Sequence, residues 1–188
     1  MAHVLLLHPV HGLRPAVLAA ADRLRAAGHR VTTPDLYEAP AAATVEAGFA
    51  LLGTIGHGTV LDRARRAVAA LPAETVLAGF SMGAGIAGAL LAERPRAAAL
   101  LLMHGTGGGP DSARPGLPVR LHLADPDEYE PSAEVDEWRQ AMTAAGAEVV
   151  VHRYPGSGHL FTDPDSPDFD ASAAALAEHR VLTFLAPP

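Results

Sequence analysis

A serine flanked by glycines, Ser81, follows a short apolar run in the segment TVLAGFSMGAG (residues 75–85). The pattern Gly-x-Ser-x-Gly between a strand and a helix is typical of a sharp turn that exposes a nucleophilic hydroxyl. Gly79 and Gly83 suit such a turn because a side chain at either position would collide with neighbouring backbone. The N–H of Met82 would lie at a helix N-terminus, where an anion is stabilised, and would form half of an oxyanion hole.

A serine hydroxyl is a weak nucleophile unless a base takes its proton and an acid orients that base. On strand–turn–helix scaffolds of this kind, the order along the chain is serine, acid, histidine. Two later loops supply the missing groups: ADPDEYEP (124–131) holds aspartates, and YPGSGHLF (154–161) holds His159. The sequence therefore predicts that His159 is the general base.

Asp125 and Asp127 compete for the role of the acid. Asp125 precedes Pro126, which pushes its backbone into an extended conformation, so it should continue the line of the strand. Asp127 should lie inside the turn that follows, where its side chain can reach across the edge of the sheet. We therefore expect Asp127 to be the acid.

The elements that must position these groups alternate between apolar strands and amphipathic helices. This alternation predicts one α/β domain over residues 1–188, with a doubly wound, mostly parallel sheet and ligands at the carboxyl ends of its strands. Predicted strands cover 3–8, 29–35, 75–80, 97–105, 119–124 and 148–154, and predicted helices cover 15–28, 44–53, 59–71, 82–95, 132–146 and about 170–185.

The loop HPVHGLRP (8–15) follows the first predicted strand and should lie beside the serine turn. In such folds a neighbouring strand–helix loop supplies the second oxyanion donor. We assign that donor to the backbone N–H of Val10, with His11 as the next choice.

Gly83, Gly85 and Gly88 spell G-x-G-x-x-G, the fingerprint of dinucleotide binding. That fingerprint belongs at the first strand–helix turn, with an acidic residue about twenty positions later. Here it follows a middle strand, and the next strand ends in His104. Tight helix packing explains these glycines better, but a nucleotide-dependent enzyme remains an alternative. A non-catalytic binding protein, with Ser81 as an ordinary helix cap, is the other alternative.

The composition excludes several classes of function. A net charge of −7 without a basic stripe argues against nucleic acid, and zero cysteines exclude disulfides and thiolate metal sites. No apolar run approaches the length of a membrane span, so we expect a cytoplasmic protein that does not bind membranes. Pro9 separates His8 from His11 and no carboxylate cluster completes a ligand set, so we expect no metal. Hydrolysis by a serine, a histidine and an aspartate needs no cofactor, so we expect none.

Five segments together resemble the dienelactone hydrolase family of α/β-hydrolases, and the resemblance covers nearly the whole chain. It implies a small hydrolase without a large lid that acts on a small ester or lactone. It also implies that Ser81 is the nucleophile, Asp127 the acid and His159 the base, and that the N–H groups of Met82 and Val10 form the oxyanion hole. The segments are HPVHGLRP, TPDLYE, GFSMG, ADPDEYEP and YPGSGHLF.

The sequence departs from the best-known members of that family at two positions. They carry a cysteine where this chain has Ser81, and a glutamate in the first loop where it has Pro9. They hold the substrate carboxylate with arginines, for which Arg14 and Arg153 are the candidates here. The residues expected to line the substrate pocket are His11, Arg14, Tyr37, His104 and Phe161.

Overall fold

A computed structural model describes residues 1–186, which form a six-stranded parallel sheet with helices on both faces. The strand order is β2-β1-β3-β4-β5-β6, and each neighbouring pair is parallel. The chain therefore reverses its direction of travel across the sheet between β1 and β3, where ligands bind in doubly wound folds. The strands are β1 (His3–Leu7), β2 (Arg30–Thr32), β3 (Val76–Phe80), β4 (Leu100–Met103), β5 (Pro118–Asp125) and β6 (Glu148–Pro155).

Six α-helices cover the two faces of the sheet. Within the described part of the chain, no helix combines the length and the apolar character needed to cross a membrane. The helices are α1 (Pro15–Ala26), α2 (Val45–Ile55), α3 (His57–Ala69), α4 (Met82–Leu90), α5 (Ser132–Ala144) and α6 (Ala171–Leu185).

The sheet separates two hydrophobic cores. One core packs α2, α3, α4 and α5 against one face, and the other packs α1 and α6 against the opposite face. Successive residues of β1 point to opposite faces, so Leu5 and Leu7 enter the first core while Val4 and Leu6 enter the second. Because both faces are covered, the central strands are continuous apolar runs without polar alternation. The predicted doubly wound α/β class is confirmed.

Most differences from the sequence prediction concern where elements end. The strand predicted over 97–105 is shorter at Leu100–Met103, and the helix predicted over 82–95 ends at Leu90, with one 3₁₀ turn after it. The helices α2 and α3 are separated by Gly56 alone, whose φ of 88° breaks the helical path.

Candidate active site

Ser81 occupies a strained turn between β3 and α4. Its φ is 51° and its ψ is −113°, a left-handed conformation that non-glycine residues adopt only when the surrounding structure imposes it. The Ser81 N–H donates to the Met103 carbonyl at 2.7 Å, which fixes the turn to the end of β4. The hydroxyl is thereby held at the carboxyl edge of the sheet.

Glycines on either side of Ser81 allow this turn because the backbone passes too close for side chains. A Cβ at Gly79 would lie 2.1 Å from the Gly83 carbonyl oxygen, and one at Gly83 would lie 2.5 Å from the Leu7 carbonyl oxygen. No real Cβ tolerates such distances, so the start of α4 can approach the end of β1 only with these glycines.

Three side chains distant in sequence form a continuous hydrogen-bonded chain. Ser81 Oγ lies 3.0 Å from His159 Nε2, and His159 Nδ1 lies 2.9 Å from each carboxylate oxygen of Asp127. The Asp127 side chain is 1% exposed and the His159 side chain 9% exposed. A carboxylate accepts the proton of Nδ1, which leaves Nε2 as an acceptor facing the serine hydroxyl.

The two aspartates at the end of β5 take different directions. Asp125 continues the strand opposite Pro155, and its carbonyl accepts the Gly156 N–H at 2.9 Å. Asp127 lies in the following turn and also accepts the Tyr129 N–H at 2.9 Å. The structure thus brings Asp127 to His159 and keeps the backbone of Asp125 in the sheet.

The loop after β1 is fixed beside the serine turn by Tyr37. The Tyr37 hydroxyl donates to the Val10 carbonyl at 2.9 Å and lies 3.4 Å from the Met82 sulfur. Burial raises the pKa of Tyr37 to about 12, so the phenol remains protonated and able to donate. Gly48 of α2 permits this packing, since a Cβ there would lie 2.6 Å from the Val10 oxygen.

A cavity of about 260 Å³ opens over Ser81. Val10, His11 and Met82 line it together with the serine and His159. As the first residue of a helix, Met82 has an N–H without an intrahelical acceptor. Burial, reinforced by the positive charge of Arg14, lowers the pKa of His11, so that its ring is neutral at pH 7. The remaining lining residues are Pro9, Val45, Phe49, Gly85, Thr106, Tyr129, Glu130 and Leu160.

The two arginines expected to hold a substrate carboxylate form ion pairs in the structure. The Arg14 guanidinium forms an ion pair with Asp163 at 3.1 Å, in which both side chains are nearly buried. Arg153 contacts Asp136 at 3.5 Å and Ser132 at 3.2 Å, beside α5. Neither arginine is among the residues that line the cavity over Ser81.

Tyr37, His104 and Phe161, which the sequence also suggested for the pocket, are not among the residues that line this cavity. Tyr37 lies behind the pocket wall, and Phe161 is fully buried in the core that contains α1 and α6. His104 faces a separate cavity of about 300 Å³ on that side of the sheet, and its Nε2 lies 2.6 Å from the Thr162 hydroxyl. Burial lowers the pKa of His104 well below its ordinary value, so this ring stays neutral.

Glu130 and Tyr129 line the cavity but were not singled out from the sequence. Both follow Asp127 directly in the acidic loop, so the position of the acid could have drawn attention to them. The orientation of Glu130 depends on a long-range contact, the hydrogen bond from the Thr106 N–H to Glu130 Oε1 at 3.0 Å. The sequence contains no local signal for that contact.

The glycines of the G-x-G-x-x-G pattern have packing roles. A Cβ at Gly88 would lie 1.8 Å from the Gly108 nitrogen, so this glycine permits α4 to touch the loop after β4. Gly83 permits the contact with β1, whereas Gly85 has nothing within 4 Å of the position of a Cβ. Two of the three glycines are therefore explained without a nucleotide.

His8 uses both of its ring nitrogens within the fold. Its Nε2 accepts the Leu36 N–H at 3.0 Å and its Nδ1 lies 2.8 Å from the Pro9 carbonyl oxygen. This pairing makes Nδ1 the protonated nitrogen and ties β1 to the segment after β2. In residues 1–186, no three His, Asp or Glu side chains come together in an arrangement that could hold a metal ion.

Solved structures with a similar fold include hydrolases of several kinds. A dienelactone hydrolase-like promiscuous phosphotriesterase from metagenomic libraries superposes with a TM-score of 0.80 at 18% identity, over 98% of this chain and 85% of that one. Esterase 2 of Thermogutta terrifontis, phosphoramylated by tabun, superposes with a TM-score of 0.65 at 14% identity, over 100% of this chain and 85% of that one. At such identities the likeness establishes the α/β-hydrolase fold.

The chain is also similar in sequence to known enzymes. Carboxymethylenebutenolidase from Pseudomonas putida is 38% identical over 73 residues, which are 37% of this chain and 29% of the relative. The same enzyme from Pseudomonas knackmussii matches to the same extent, so the match spans less than a third of the length of these curated relatives. A model of the dienelactone hydrolase family matches residues 1–187, and the chain belongs to the dienelactone hydrolase family.

Proposed function

We propose that the protein is a serine hydrolase that cleaves a small ester or lactone through an acyl-enzyme intermediate. The observation that carries this proposal is the hydrogen-bonded chain from Ser81 Oγ through His159 to Asp127. Membership of the dienelactone hydrolase family and the partial similarity to the carboxymethylenebutenolidases support it.

In the first half of the reaction, Ser81 Oγ forms a bond to the carbonyl carbon while His159 Nε2 takes the hydroxyl proton. The N–H groups of Met82 and Val10 donate to the oxyanion that forms. As the tetrahedral intermediate collapses, the bond to the leaving alkoxide breaks and His159 returns the proton to that oxygen. Asp127 keeps the ring oriented and stabilises its charged form.

In the second half, a water molecule attacks the acyl-serine ester while His159 takes its proton. The bond between the acyl carbon and Ser81 Oγ then breaks, and His159 returns the proton to the serine. The products are a carboxylic acid and an alcohol, or a hydroxy acid from a lactone. Apart from the substrate, the two steps require only side chains and backbone groups of this protein and one water molecule.

The size of the cavity favours small substrates. Its volume of about 260 Å³ lies just below the usual range for ligand pockets, which begins at about 300 Å³. We therefore propose that acetate and butyrate esters are turned over faster than a sixteen-carbon ester.

Labelling with a fluorophosphonate probe tests the nucleophile. The probe should attach to Ser81, and Ser81→Ala should lose both labelling and turnover of p-nitrophenyl esters, by about a million-fold in kcat. Ser132→Ala, which changes an exposed serine at the start of α5, is the matched control and should behave as the unmodified protein does. A folded Ser81→Ala variant that kept a tenth of the activity, or a protein without any labelling, would exclude the proposal.

A further inference from the structure

The pocket over Ser81 has an unusual distribution of charge. Within residues 1–186, no arginine lines it, and the chain contains no lysine. His11 is neutral at pH 7 because burial and Arg14 lower its pKa. Glu130 is therefore the charged group at the pocket wall beside the proposed catalytic residues.

The Glu130 carboxylate lies close to the reacting serine. A Cβ at Gly105 would be 3.3 Å from Glu130 Oε1 and also 3.3 Å from Ser81 Cα, so both residues border the space that the absent Gly105 side chain leaves open. Burial, reinforced by the negative charge of Asp127, raises the pKa of Glu130 above its ordinary value, and the hydrogen bond from Thr106 limits that rise.

Other residues around the opening of the pocket also favour a substrate that carries a positive charge. Two aromatic side chains that line the pocket, Phe49 and Tyr129, are 54% and 48% exposed. Aromatic faces attract quaternary ammonium groups. Glu46, exposed in the first turn of α2, acts electrostatically on both His11 and Tyr129 and so adds negative charge at the same opening.

We infer that Glu130 is a specificity-determining residue that selects esters with a cationic or neutral leaving alcohol and excludes anionic ones. This inference rests on the proposed function and specifies its substrate class. A carboxylate facing a like charge opposes binding, and its attraction to an ammonium group favours binding and association. The two arginines expected for an anionic substrate are instead paired with Asp163 and Asp136.

Three acetate esters of similar shape test the inference: acetylcholine (cationic), 3,3-dimethylbutyl acetate (neutral) and 2-sulfoethyl acetate (anionic). We expect kcat/KM to fall in that order, by about ten-fold or more between the cationic and the anionic ester. The order should weaken at high ionic strength.

Glu130→Gln removes the charge while keeping an oxygen that can accept the Thr106 N–H. This variant should reduce the ratio of kcat/KM between the cationic and anionic esters to below about three-fold. Glu128→Gln is the matched control, because Glu128 lies exposed in the same loop and does not line the pocket. It should keep the ratio of the unmodified protein.

The outcomes separate the two proposals. If none of the three esters or any p-nitrophenyl ester is hydrolysed and Ser81 is not labelled, the proposed function fails and the charge selection fails with it. If esters are hydrolysed at rates independent of their charge, or if folded Glu130→Gln keeps the original ratio, only the charge selection is overturned. Should Glu130→Gln not fold, the charge order and the salt dependence of the unmodified protein decide alone.

Discussion

Both carboxylate oxygens of Asp127 lie 2.9 Å from Nδ1 of His159. A third hydrogen bond, from the Tyr129 N–H, holds the same carboxylate. The nearly complete burial of Asp127 removes water as a competitor for His159. In the proposed mechanism, such an acid fixes the tautomer and the orientation of the imidazole, and its charge stabilises the imidazolium.

Asp127→Asn should therefore abolish most activity without unfolding the protein. The amide keeps the size of the side chain but presents an N–H group where the ring needs an acceptor, which favours the wrong tautomer. By analogy with serine proteases, kcat should fall about ten-thousand-fold. Steady-state kinetics at one pH, with circular dichroism to check folding, measure this loss.

Asp125→Asn is the matched control, two residues away at the end of β5. It should lower kcat by at most about ten-fold, because Asp125 contributes its backbone to the sheet, whereas the carboxylate bonded to His159 is that of Asp127. An inactive, folded Asp125→Asn beside an active Asp127→Asn would reverse the assignment.

The geometry around Ser81 was predictable because it depends on local rules. The glycine-flanked serine, the order of serine, acid and histidine, and the effect of Pro126 on Asp125 are all visible in a single sequence. The structure brings the three predicted side chains into one hydrogen-bonded chain.

The pocket wall was less predictable because its composition depends on partners far away in the sequence. Arg14 follows the first strand, as a substrate-binding arginine would, but its partner Asp163 arrives from a loop near the other end of the chain. Likewise, Glu130 faces the pocket because Thr106 fixes it from a different loop. Neither pairing leaves a pattern in the local sequence.

His159→Gln and His104→Gln should have very different effects, although the centres of the two rings are only 6.1 Å apart. His159 contacts both Ser81 and Asp127, so its loss should lower kcat about a million-fold, as expected for residues that act as a unit. His104 contacts Thr162 and lines the other cavity, so its variant should retain at least about a tenth of kcat. Steady-state kinetics on both folded variants test this prediction. An inactive His104→Gln variant beside an active His159→Gln variant would contradict it.

Gly88→Ala and Gly85→Ala should change the free energy of unfolding in opposite directions. The new methyl group at position 88 would overlap the Gly108 backbone, which must move, so we expect a loss of about 3 kcal/mol or more. Position 85 has open space, and alanine there should gain up to about 1 kcal/mol from helix propensity. Urea unfolding of both variants measures the difference, and equal effects would contradict the packing role of Gly88.

Three fully buried histidines should make the protein sensitive to acid. Burial lowers the pKa of His8, of His104 and of His122, and for His122 to about 3. In the unfolded chain each ring regains its ordinary pKa of about 6.5. Below that pH the unfolded state binds more protons than the folded state, so stability is complete above about pH 6.5 and falls as the pH decreases.

His122→Gln isolates one of these contributions. His122 pairs with the Tyr154 hydroxyl at 2.7 Å, which an amide can also contact, and the substitution removes the titrating ring. The variant should be less stable than the unmodified protein at pH 7.5. That difference should shrink by about 1.4 kcal/mol for each pH unit below 6.5, since only the unmodified chain takes up this proton on unfolding. Urea unfolding of both proteins between pH 7.5 and 4.5 measures this difference in stability. If the stability of both proteins had the same dependence on pH, the prediction would be wrong: His122 would then be protonated in the folded state already, or would keep its low pKa in the unfolded chain.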